Sequence, residues 1–265
     1  MNGLSVIDTH VHFDDDRFDP DRTQIYQNAK LSGVSALVVP ATIESRFKKI
    51  HALANTFPDV YATVGLHPMF CDNHRSAHLD SLNDALEGCV AIGECGLDKV
   101  DRHADLTWQR TLFDAQISLA KTHTLPLIIH ARNAIEDVIQ MLKRNALSRE
   151  RGNGVVHSFN GSLQQAHQLI DLNYKVSFGG PITYPRAHKL HKLGATLPLQ
   201  SILFETDAPD QPGIAQCGGR NEPAYIGQVC IQAAALRKTS VEQVTTASNQ
   251  NAVELFDLPQ RLLTR

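Results

Sequence analysis

His10 and His12 follow a short extended run, Leu4-Ser5-Val6-Ile7-Asp8-Thr9, near the start of the chain. Side chains two apart on an extended segment share a face, so the two imidazoles can converge on one metal ion. Alone, the pair is more simply read as two surface or capping histidines. The reading changes because titratable residues recur where other apolar runs end. Glu94 follows Val90-Ala91-Ile92-Gly93, His130 follows Leu127-Ile128-Ile129, His157 follows Val155-Val156, and Glu205 and Asp207 follow Ile202-Leu203-Phe204. Burying such groups one by one is costly, and one shared metal centre accounts for all of them. Imidazole with carboxylate suits Zn²⁺, Mn²⁺ or Mg²⁺ without choosing among them. We expect two divalent ions, one held by His10, His12 and Asp207, the other by His130 and His157, with Glu94 bridging. Two cations about 3.5–4 Å apart can generate hydroxide and clamp both oxygens of a displacement at phosphorus or carbon. Asp207 and Glu94 are the expected catalytic carboxylates, Asp207 orienting or deprotonating the attacking water.

Such positions need a scaffold that gathers strand ends. Candidate strands lie at 5–8, 36–40, 60–64, 90–93, 127–129, 155–156, 175–178 and 202–204. Between them run helical patterns near 21–31, 44–56, 76–87, 106–122, 132–145, 162–171 and 222–237. The clearest puts Trp108, Leu112, Phe113, Ile117 and Ala120 on one face. Apolar strands alternating with helices imply a parallel sheet covered on both sides. Eight such units predict an α/β fold of the (β/α)₈ TIM-barrel type, one domain over residues 1–265. The polar markers at 10, 67, 94, 130, 157 and 207 are spaced by one or two units of roughly 25–30 residues, so they meet at the C-terminal rim. The Gly-, Gln- and Pro-rich stretch from Pro209 to Pro223 is expected to be a long loop after the eighth strand.

Formal net charge is −3 and charged residues make up 20 % of the chain, so no basic excess marks a long nucleic-acid footprint. A nuclease gripping only a strand end is still compatible, because bound cations bring their own charge. Five scattered cysteines without a C-x-x-C argue against a disulfide framework or a zinc–cysteine site. No apolar run reaches the roughly 18 residues that span a bilayer. The N-terminus lacks a signal peptide's basic region, and cleavage there would remove the strand before His10. A cytoplasmic monomer without membrane association is expected.

Several segments, in order, resemble one family: Ile7-Asp8-Thr9-His10-Val11-His12-Phe13-Asp14, Gly65-Leu66-His67-Pro68 and Ile92-Gly93-Glu94-Cys95-Gly96-Leu97-Asp98. They continue with Pro126-Leu127-Ile128-Ile129-His130-Ala131-Arg132, Val156-His157-Ser158-Phe159-Asn160-Gly161 and Phe204-Glu205-Thr206-Asp207-Ala208-Pro209. The chain is similar over nearly its whole length to the TatD-family metal-dependent hydrolases of the amidohydrolase superfamily. Gly179-Gly180-Pro181-Ile182-Thr183-Tyr184-Pro185-Arg186 resembles the YjjV-like branch. The resemblance implies a (β/α)₈ barrel, one or two divalent metals on His10, His12, Glu94, His130, His157 and Asp207, and hydrolysis of phosphodiester or other ester bonds. A 3′–5′ deoxyribonuclease acting on DNA 3′ ends is the substrate class it implies first. Two departures stand out: Cys95, where a small aliphatic residue is common, and Lys99-Val100, where an aromatic residue is frequent.

His67 is a candidate substrate contact or a rim histidine that only bonds the barrel. Arg132 is a candidate phosphate ligand or a helix-start residue paired with a carboxylate such as Glu136. Glu205 is a candidate to orient a ligand histidine or to pair with a nearby cation, Asp98 to orient a ligand histidine or serve as a cap, and Asp8 to orient a ligand from within the barrel or to lie buried in an inter-strand network. Asp14, Asp15 and Asp16 read as a solvated loop, with Asp14 near the metals as the alternative. The remaining histidines, 51, 74, 78, 103, 123, 167, 188 and 191, read as surface residues. Two other activities use the same residues: an amide, lactone or carboxylic ester hydrolase, and a non-catalytic metal-binding adaptor.

Overall fold

The computed structural model describes residues 5–100 and 105–263. In chain order its elements are β1 (Val6–Asp8), α1 (Arg22–Leu31), β2 (Val34–Pro40), α2 (Phe47–Thr56), β3 (Val60–Val64), α3 (Ala77–Asp84), β4 (Ala91–Asp98) and α4 (Leu106–His123). Then follow β5 (Leu127–Arg132), α5 (Ile135–Arg144), β6 (Gly154–Val156), α6 (Leu163–Asp171), β7 (Tyr174–Phe178), α7 (His188–Thr196), β8 (Ile202–Phe204), α8 (Ile226–Arg237) and α9 (Val241–Phe256). The strands are ordered β1 to β8 in one sheet, with parallel pairing. Strand and helix alternate, which is the (β/α)₈ order. Contacts divide the chain into two units, one formed by the segments up to Val39 and from Val176, the other by Pro40–Lys175.

In the first unit, the segments leaving β1 and β8 are stitched together. Thr9 N–H donates to Phe204 O at 3.1 Å, Asp207 N–H to His10 O at 2.9 Å, and His12 N–H to Ala208 O at 2.8 Å. This ladder sets the two histidines beside Asp207. Helix α9 supports β1 from behind: the Ile7 N–H donates to Asn249 Oδ1 at 2.9 Å, and Asn249 Nδ2 donates to Ser5 O at 3.0 Å. The helix starts with a capping box of Ser240 and Gln243. Neither α9 nor α7 is expected from apolar periodicity. The buried face of α9 carries Thr245, Ser248, Asn249 and Asn251 among its apolar residues, which blurs the 3.6-residue pattern.

In the second unit, β4 and β5 run further than their apolar cores. Glu94 and His130 lie inside these strands rather than after them. Small residues permit this. A Cβ on Gly93 would come within 2.6 Å of Ile128 Cβ, and one on Gly96 (φ +128°) within 2.1 Å of His130 O. The backbones of β4 and β5 therefore approach closely on both sides of Glu94, a place only glycine allows. Helix α4 buries Leu112, Phe113, Ile117 and Ala120, and Gln109 and Gln116 lie on the same buried face. Those amides hold strand ends: Gln116 bonds the N–H of Leu66 (2.8 Å) and its carbonyl (3.2 Å), and Gln109 Oε1 accepts from Asp98 N–H (2.9 Å). All five cysteines are free thiols, and no described helix is long and apolar enough to cross a membrane.

Candidate metal centre

Glu94 is 1 % exposed, and a carboxylate that deep must be satisfied by partners. Its Oε1 is met by His67 Nε2 at 2.7 Å, His157 Nε2 at 2.7 Å and His130 Nδ1 at 3.0 Å. The second nitrogen of each ring decides what the first can do. His67 Nδ1 accepts the Met69 N–H at 3.0 Å, so neutral His67 carries its proton on Nε2 and donates to Glu94. That tautomer removes His67 Nε2 as a metal donor, although its atoms lie within ligand range of Glu94 and His130. His130 is arranged the other way round. Its Nε2–H donates to Asp98 Oδ2 at 2.8 Å, so the proton on Nδ1, shared with Glu94 at 3.0 Å, is the one that must leave for Nδ1 to bind an ion. A carboxylate behind a ligating histidine is a recurrent orienting device.

The charges agree with this geometry. Burial opposes ionisation of Asp98, but hydrogen bonds from His130, the Val100 N–H and Arg132 overcome it and hold the carboxyl at about 2. Burial also opposes the imidazolium form of His130, and hydrogen bonds to Asp98 and Glu94 outweigh it and raise its pKa. Shared protons link the rings and carboxylates of this cluster. Cys95, fully buried beside Glu94, has its thiol pushed well up by burial and then by the Glu94 charge, so it serves as a small apolar residue.

In the first unit, His10 Nε2 and His12 Nε2 stand 3.5 and 3.4 Å from Asp207 Oδ1. Donors on a tetrahedral ion with bonds of about 2.0–2.1 Å are separated by about 3.3 Å, so this spacing fits a cation. Asp207 has φ +57°, a left-handed conformation uncommon outside glycine, asparagine and aspartate and often found at functional sites. Its Oδ2 accepts a hydrogen bond from Gln211 Nε2. Asn221 braces the loop, donating from Nδ2 to Thr206 O and Asp210 O, each at 2.8 Å. Behind it, Asp8 accepts from Thr206 N–H (3.0 Å) and Oγ1 (2.6 Å), and burial raises its carboxyl to about 8.

The structure thus gathers Glu94, His130 and His157 in one unit and His10, His12 and Asp207 in the other. His67 is buried in the Glu94 cluster, and Asp98 orients His130. Arg132 pairs with a carboxylate, that of Asp98 (Nε–Oδ2 2.8 Å), while Glu136 accepts from Gln140. Two readings change. Asp14 is buried, so the acidic run is not a uniformly solvated loop, and Asp15 binds Arg17. His74 is buried, with Nε2 on His67 O at 2.9 Å, because it closes the turn that carries His67. Glu205 accepts from Ser177 Oγ at 2.5 Å. His103 lies outside the described residues. Gln109, Gln116 and Asn249 have no role assigned from sequence, and their one sequence signal is a polar residue on an otherwise apolar helix face, as α4 displays.

The sequence model of the TatD-related DNases matches residues 7–257. The uncharacterized metal-dependent hydrolase YjjV of Escherichia coli (strain K12) is 40% identical over 257 residues, covering 96% of this chain and 98% of its own. Its crystal structure at 1.8 Å superposes with a TM-score of 0.92 over the same shares of the two chains. The 3′-5′ ssDNA/RNA exonuclease TatD of Rahnella sp. is 30% identical, covering 95% of this chain and 98% of its own. A human deoxyribonuclease, TATDN3, is 32% identical, covering 99% and 98%.

Proposed function

Because the chain belongs to the TatD-related DNase family and is a metal-dependent hydrolase with a (β/α)₈ barrel, we propose that it hydrolyses phosphodiesters, removing nucleotides from 3′ ends of single-stranded DNA. The observation that carries this is the paired donor set, imidazole and carboxylate in both units, spaced for a divalent cation at Asp207 and joined by hydrogen bonds at Glu94. In this reading His10, His12 and Asp207 would hold one ion, and His130 and His157, with Glu94 beside them, would hold the other. The names of the Rahnella and human relatives support the phosphodiester class.

When bound, the ions supply Lewis acidity and lower the pKa of water. The protein's own groups do the rest. Asp207 accepts the proton of the attacking water, its carboxylate steadied by Gln211. Asp98 keeps the His130 proton on Nε2, so Nδ1 stays available. His67 donates to Glu94 and holds that carboxylate in one rotamer. Arg132 spends its Nε–H on Asp98 and keeps a half-exposed guanidinium edge that can meet a phosphate oxygen.

The test is to strip the protein with chelator and restore Mg²⁺, Mn²⁺ or Zn²⁺ separately in an assay of 3′-labelled single-stranded DNA. Restored metal should restore stepwise 3′ release, and Asp207→Asn should lower kcat by about 10²–10⁴. Turnover that survives both chelation and Asp207→Asn would sink the mechanism. Carboxylic ester or lactone turnover far above DNA turnover would move the substrate class to carbon.

A further inference from the structure

Exposed large hydrophobic residues in the second unit, among the described residues, are Met69 (53 %), Phe70 (38 %) and Val100 (46 %). They do not scatter over helices α2 to α6. Met69 and Phe70 follow β3 directly, and Val100 follows β4, the two strands that deliver His67 and Glu94. In this unit the exposed large apolar residues follow the strands that carry the chemistry, a placement suited to binding.

Phe70 is held firmly. It sits in the 3₁₀ turn Pro68–Asn73, with φ −108° and ψ 23°, a kink that turns it out of the helical path. Its N–H donates to His67 O at 3.1 Å, and His74 Nε2 meets the same carbonyl at 2.9 Å. The Phe70 ring lies 5.7 Å, centroid to centroid, from the His67 ring, tilted by 57°. The other edge of His67 touches Glu94 at 2.7 Å. One imidazole therefore separates an exposed aromatic face from the carboxylate at the heart of the donor set.

A nucleotide has the matching construction: a phosphate, a sugar and a planar base with a π-face. Aromatic side chains beside a cationic phosphate site are how single-stranded nucleic acid is gripped without sequence readout. We propose that Phe70, flanked by Met69, stacks the base next to the scissile phosphate and so forms a base subsite of the proposed nuclease centre. This rests on the phosphodiester reading given above. Stacking accepts any base and fails for an abasic end. Stacking also adds affinity that a chain of net charge −3 does not draw from bulk charge. Phe70 acts in binding, so its loss raises KM and leaves kcat nearly unchanged.

The experiment uses full-length, metal-loaded protein and two oligonucleotides identical except that the 3′-terminal base is 2-aminopurine or absent. Binding is measured with a non-hydrolysable 3′-terminal linkage and turnover with the natural linkage, both on the otherwise unaltered chain. We expect Phe70→Ala to weaken binding of the 2-aminopurine end about tenfold, to abolish quenching of its fluorescence, and to leave the abasic end unchanged. Phe70→Trp should restore binding and quenching. Equal weakening of both oligonucleotides, or of neither, overturns the subsite, as does full rescue by Phe70→Leu. If unaltered protein cleaves neither oligonucleotide but base-dependent binding persists, the subsite stands and the nuclease reading falls. If base-dependent binding is also missing, both fall.

Discussion

In the first unit, two imidazole nitrogens stand 3.4 and 3.5 Å from Asp207 Oδ1; in the second, three stand 2.7–3.0 Å from Glu94 Oε1. The first distances are those of ligands around an ion, and the second are those of hydrogen bonds. The difference follows from what braces each group. His10, His12 and Asp207 are set by main-chain bonds between the segments after β1 and β8, and Asp207 is further tied to Gln211. Glu94 is buried among rings that have protons to give, so it draws them in. One half is spaced for metal beforehand, while the other must release hydrogen-bonded protons before it binds. We therefore expect the Asp207 half to fill first and the Glu94 half to fill with proton release.

The largest effect should come from Glu94→Gln. It keeps the volume and removes the charge that both the histidines and an ion need. We expect kcat to fall by about 10²–10⁴, with metal content dropping from two ions to one and the ion at the Asp207 half retained. Asp207→Asn should lose the opposite ion. Equilibrium dialysis with metal analysis reads both, and loss of both ions from either variant alone would erase the distinction between the halves.

How far each half is legible in sequence differs for a related reason. All eight strands are marked by apolar runs, because a parallel sheet covered on both faces needs them. Residues at the ends of those runs, such as His10, His157 and Asp207, stand out by contrast. The path of β4 through Glu94 does not, since Gly93 and Gly96 break the apolar run while the close approach of β5 keeps the strand going. Helices α7 and α9 are obscured by polar residues, in α9 because Asn249 and Asn251 bond the backbone of neighbouring segments. The role of His67 lies beyond any spacing argument. It depends on which ring nitrogen faces Glu94, and the turn at Met69 decides that.

A smaller effect should come from Asp98→Asn, which touches only the Glu94 half. Losing the carboxylate behind His130 should weaken the second ion by about 10–100-fold and leave the first unchanged, read by calorimetric titration. The same variant has an acid signature in chelated protein. Asp98 ionises at about 2 in the folded chain against an ordinary 3.8, so the unfolded state binds more protons between those values. Its stabilising contribution is complete above pH about 4 and is lost as pH falls toward 2. It amounts to about 2 kcal/mol. Urea midpoints between pH 2 and 5 should fall with acid for the unaltered chain and lose that part of the slope in Asp98→Asn. An unchanged slope would mean His130 is oriented by something else.

The smallest effect should come from the outer brace of the Asp207 half. Arg220 donates to both oxygens of Asp21 (3.0 and 2.6 Å), to Glu222 (3.1 Å) and to Arg17 O (2.8 Å), and its guanidinium lies 5.1 Å from the Phe18 ring centroid. It thereby ties the 3₁₀ turn Asp16–Phe18, which follows His12, to the loop after β8. Partly exposed pairs of this kind contribute about 0.2–1 kcal/mol each, so Arg220→Ala should cost about 1 kcal/mol in urea unfolding. Because main-chain bonds already set His10 beside Asp207, affinity for the first ion should fall less than tenfold, well short of what Asp98→Asn does to the second. An equal loss would show that the Asp207 half owes its spacing to salt bridges at its edge, and the contrast between a braced half and a proton-held half would no longer stand.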